Sequence, residues 1–222
     1  MSKAKKKDLG TNIVYRIVLA VLAVGVPLSA FFAKLFYAVI DSDVIKMINS
    51  LQGNTDDTGA TEVTYSIKEI ISMFSQSEGG SSNMGAKIWE SISGIHGELI
   101  CIAVFFALAI LSALAIFIFN FFSKKRFVTL CLGGFGTLSL IAMLISFNAA
   151  ASPILDGTIS LSTLLSSSLL GSSLLSGLMS YVASVSILRL ASAWYVMLFL
   201  FIGIIVWAGA YMLIESGERK SK

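Results

Sequence analysis

Few residues in this 222-residue chain have the type and spacing to do chemistry. Lys34 stands out because it interrupts a long apolar run, six residues short of Ile40. A lysine at the bilayer centre costs at least about 2.5–3.5 kcal/mol, so an intramembrane ammonium usually serves an ion pair, a cavity or a transport path. This one is shallow enough for its four-carbon stem to carry the charge outward. An ion pair for it would draw on Glu98 or Asp41.

His96 is the only histidine, and it stands in His96-Gly97-Glu98 with Cys101 close by. Helical metal ligands need to share a face, as residues i and i+4 do; His96 and Glu98 do not. Polar residues at a membrane boundary are the expectation. The stretch 54–65 sets Asn54, Asp56 and Gly59 in register with a calcium loop. Such a loop needs a bidentate Glu at its twelfth position, where Tyr65 stands, so a solvated acidic turn is expected. Cys101 and Cys131 fall near opposite ends of two apolar runs, on the order of 20–25 Å apart along the membrane normal. A disulfide requires Cα atoms within about 7 Å, so the two are not expected to pair.

The chain contains no P-loop, no H-E-x-x-H, no G-x-S-x-G and no paired carboxylates inside an apolar run. Serines are plentiful, but no histidine or aspartate is spaced to activate one within a run. A non-enzyme is expected, with no cofactor and no metal. The basic clusters are short and suit anionic inner-leaflet lipid, so nucleic-acid binding is not expected.

The elements that carry these residues follow from composition. Apolar residues make up 56% of the chain and charged residues 13%. Soluble domains have about 45–50% and 25%, so a membrane protein is expected. A span takes roughly 20 apolar residues. Four segments qualify: 13–40, 99–123, 127–148 and 191–214. The candidate signal-peptide cleavage sites place the bulky Leu28 or Phe31 at −3, so the first span is expected to remain as an anchor.

Orientation comes from the cations. Eleven of sixteen Lys and Arg residues fall in three clusters: Lys3 to Arg16, Lys124 to Arg126, and Arg219 to Lys222. Basic short loops stay cytoplasmic, and four spans put all three clusters on one side. The expected order is a basic cytoplasmic tail 1–12, the first span, an extracytoplasmic loop 41–98, the second span, a cytoplasmic link 124–126, the third span, an extracytoplasmic segment 149–190, the fourth span and a tail 215–222. Nine of thirteen acidic residues lie in 41–98. The lack of an N-x-S/T sequon in either outer segment and the charge pattern suit a prokaryotic plasma membrane.

The expected fold is all-α. In the first outer loop, Val44, Ile45, Ile48 and Leu51 have helical spacing. Val63, Ile67, Ile70, Ile71 and Phe74 form another apolar stripe, so 62–76 is expected to be an amphipathic helix. The 32 uncharged residues 157–188 hold 11 serines and 9 leucines. Leu174, Leu178, Tyr181, Val182 and Val185 share one helical face there, which predicts an interfacial amphipathic helix. A re-entrant hairpin is the alternative. Pro27 is expected to bend the first span.

Small residues mark helix contacts, because they let helices approach closely in lipid. Gly25, Ser29 and Ala33 recur every four residues on the first span; Gly133, Gly136 and Thr137 open the third. Ala103 with Ala107, and Ala109 with Ala113, do the same on the second. Four spans and a long first outer loop are similar in topology to claudins and tetraspanins. The cysteine pairs of their outer loops and the claudin W–GLW–C–C pattern are missing, so no function is carried over.

The expected function is a non-catalytic subunit of a larger membrane assembly. Its partners would be membrane lipid and other membrane protein subunits, as a homo- or hetero-oligomer. The alternative is a pore or transporter subunit, with Lys34 and the Ser-rich outer segment lining a vestibule.

Overall fold

The structure, a computed structural model, describes residues 3–42, 60–69, 93–122, 126–156 and 183–220. In chain order its main elements are α1 (Lys3–Phe32), β1 (Lys34–Ser42), β2 (Ala60–Ser66), α2 (His96–Phe122), α3 (Arg126–Leu155), β3 (Ala183–Leu190) and α4 (Ser192–Lys220). A short 3-10 turn, Ser93–Ile95, precedes α2. Among the described residues, four helical stretches are long and apolar enough to cross a membrane: Ile13–Phe32, Ser93–Phe122, Arg126–Leu155 and Ser192–Ile214. Helices are the economical choice for such sequences, since a helix satisfies its own backbone polar groups where no water can.

The chain divides into two compact units. The first comprises 1–33, 103–143 and 192–222; the second comprises 34–102 and 144–191.

The first unit is a bundle built from parts of all four helices. Leu19, Val26, Ile116, Leu140, Met143, Met197, Phe201 and Ile204 are fully buried in it. The outward sides are apolar too, with Ile17, Val21, Leu111, Ile118, Leu138, Phe199 and Val206 exposed. A helix that is apolar all round suits a lipid environment. α1 packs along α4, where a Cβ at Gly25 would lie 3.1 Å from Leu200 and one at Gly203 3.7 Å from Leu22. α3 packs on α4 through Gly133, beside Ile204 and Ile205, and through Gly136, beside Phe201.

The second unit contains a three-stranded antiparallel sheet in the order β2-β1-β3. Tyr37 on the central strand pairs with Thr64 on one side and Arg189 on the other. The β1–β2 register shifts between Lys34 and Phe36, and the β1–β3 register between Val39 and Ile40. Leu35, Val39, Ser66, Ile95, Phe147 and Leu190 are buried in this unit. The Phe36 ring stacks on Phe147 with centroids 5.7 Å apart.

The sheet corrects several expectations. The first apolar helix ends at Phe32, and 34–40, expected as the outer end of a 13–40 span, belong to β1. The run Leu35–Ile40 is too short and too rich in aromatic and β-branched residues to fix a helix, and a sheet partner decides it. Residues 62–66, expected as the start of an amphipathic helix, are strand, and helical structure begins only at Ile67. Val185, expected on an interfacial helix, lies in β3 opposite Ile40. Leu174, Leu178, Tyr181 and Val182 of that expected helix, and the stripes Val44–Leu51 and Ile70–Phe74, lie outside the described residues.

The helix bounds also shift. α3 runs to Leu155, past the expected end at 148 and through Pro153. Pro153 lacks the N–H that would bond the Ala149 carbonyl, and the helix ends two residues after it. α4 continues through Glu215 to Lys220, and most of the basic N-terminal tail is helical from Lys3. α1 continues through Pro27 without a break.

Candidate functional site

Several polar side chains of the first unit join helices. Ser112 Oγ on α2 donates to the Leu132 carbonyl on α3 at 2.6 Å, and Asn120 Nδ2 on α2 donates to the Arg16 carbonyl on α1 at 2.8 Å. Trp194 Nε1 on α4 donates to the Leu140 carbonyl at 3.0 Å, and Trp207 Nε1 lies 3.4 Å from the Tyr15 carbonyl. Arg126, the first residue of α3, donates from Nη1 to the Tyr211 carbonyl at 2.9 Å. Its guanidinium sits 5.1 Å from the Tyr15 ring centroid and 5.4 Å from that of Tyr211. A planar guanidinium stacks on aromatic faces where an ammonium would not fit as well. Each link pairs a side-chain donor with a helix carbonyl, which is how polar groups hold helices together without a hydrophobic drive.

The small residues differ in how closely they pack. Gly136 is in closest contact, against the Phe201 ring, and Gly133 is also buried. Thr137 turns its hydroxyl back to the Gly133 carbonyl of its own helix, 3.0 Å away. Gly25 touches Leu200, whereas Ser29 bonds the Val26 carbonyl within α1 and Ala33 follows the helix end. The buried stripe of α1 is Leu19, Ala23, Val26 and Ala30, one step round from the expected Gly25–Ser29–Ala33 face. On α2, Ala109 and Ala113 are fully buried, while Ala103 and Ala107 are exposed.

In the second unit, Lys34 opens β1, two residues after the first apolar helix ends at Phe32. Its Nζ lies 2.5 Å from Glu69 Oε1, with the two side chains 42% and 44% exposed. Sequence reasoning, which offered Glu98 or Asp41, missed Glu69 as a partner. The Ser66 backbone N–H donates to Glu69 Oε2 at 2.7 Å, and the Glu69 N–H donates to Ser66 Oγ at 3.3 Å. This reciprocal arrangement is a capping box, and Ser66-x-x-Glu69 is its sequence signature. The signal was present and marks where strand gives way to helix. Hydrogen bonds from Lys34 and from the backbone and hydroxyl of Ser66 hold the Glu69 carboxyl down to about 2.

On β1 and β3, the Arg189 guanidinium lies over the Tyr37 ring, 4.6 Å from its centroid. Partial desolvation, with hydrogen bonding and charge from Glu62, raises the Tyr37 phenol above its ordinary value, and Arg189 opposes the shift. Nothing local in the sequence joins these three residues; strand register does.

The other candidates stay apart. His96 and Glu98 stand in the first turn of α2, and Cys101 and Cys131 carry free, exposed thiols. Among the described residues, no three His, Cys, Asp or Glu side chains are grouped to hold a metal. Tyr65 lies in β2, and Asn54, Asp56 and Gly59 lie outside the described residues. Comparison with known proteins gives no match to any family model, curated protein or solved structure.

Proposed function

We propose that the protein is a non-catalytic four-helix subunit of a larger membrane assembly. In this reading both termini and the link 124–126 face the cytoplasm of a prokaryotic cell, and the outer segments face away from it. The observation that carries the reading is the use of polar groups in the bundle. Ser112, Asn120, Arg126 and Trp194 are committed to the carbonyls of neighbouring helices, around a core filled by Phe201, Met143, Met197 and Leu140. Such a bundle suits a scaffold better than a conduit, because a transport path needs polar or charged groups facing a cavity. The pairing of Lys34 with Glu69 also favours an anchoring role for this lysine over a vestibule-lining one.

The test is the mass of the particle in mild detergent, by native mass spectrometry after gentle crosslinking in the membrane. A subunit should appear above the 23.7 kDa of one chain, at fixed stoichiometry with a second copy or another chain. A strictly monomeric particle, with crosslinking in the membrane giving no larger species, would overturn the proposal. Ion or solute flux in liposomes holding the purified chain would favour the vestibule alternative.

A further inference from the structure

No further inference is drawn: the strongest candidate, the polar patch of the three-stranded sheet where Arg189 lies over Tyr37 with Glu62 beside it, has its charges engaged with one another, and nothing in the structure shows what covers it.

Discussion

A side-chain carbon at Gly136 would lie 2.3 Å from Cε1 of Phe201, whose ring is fully buried. Real Cβ atoms do not approach that closely, so the buried ring or a helix would have to shift. α3 and α4 therefore meet at a distance that only glycine permits, which is the use of small residues between helices in lipid.

Gly136→Ala should destabilise the bundle by about 1–3 kcal/mol, the usual cost of overpacking. Gly134 has nothing within 4 Å of the same added carbon, so Gly134→Ala should stay within about 1 kcal/mol of wild type, on the stabilising side. The measurement is the thermal midpoint in detergent. Phe201→Leu in the Gly136→Ala background should cost less than the two single changes together, because it removes the clashing ring. Equal midpoints for the two alanine variants would show that the helices are not this close.

The hydroxyl of Ser112 is buried and spends its proton on the Leu132 carbonyl. Interhelical bonds of this kind average about 0.6 kcal/mol, because the unfolded chain in the membrane also finds partners. Ser112→Ala should therefore lower stability by about that amount. A loss as large as that of Gly136→Ala would mean that polar links, not close packing, dominate the bundle.

Glu69 has two separable tasks, pairing with Lys34 and closing the capping box on Ser66. Gln can replace Glu in the box but not in the ion pair. Glu69→Ala should thus lower the melting temperature more than Glu69→Gln, and Glu69→Gln should resemble Lys34→Met. If Gln and Ala behave alike, the cap contributes nothing.

Acid should expose the same carboxyl. Its value falls from 4.5 to about 2 in the folded chain. A depressed carboxyl stabilises the fold fully above its unfolded value and loses that contribution as pH falls toward the folded value. Between pH 4.5 and about 2, wild type should lose stability more steeply than Glu69→Gln. Parallel stability–pH curves would show that the carboxylate is not held by these bonds.

Threading is open to labelling. With Cys101 and Cys131 changed to Ala, a cysteine at Ser221 should resist an impermeant maleimide in intact cells, and one at Ser81 should react. The reverse pattern would invert the proposed orientation.

The four apolar helices were legible in the sequence because lipid imposes a local requirement. A chain inside it must satisfy its own backbone, and charges mark where it leaves. Gly136 could be picked out for the same reason, as a small residue on a long apolar run. The capping box of Ser66 and Glu69 is also written locally, as Ser-x-x-Glu.

Pairing across the chain was settled only by the tertiary structure. Leu35–Ile40 extends an apolar run in sequence, and becomes strand through partners in 60–66 and 183–190. Val185 fits a helical stripe by spacing yet lies in β3, and Lys34 finds its carboxylate 35 residues away. Hydrogen bonds between strands join residues distant in sequence, so periodicity over a short window does not encode them.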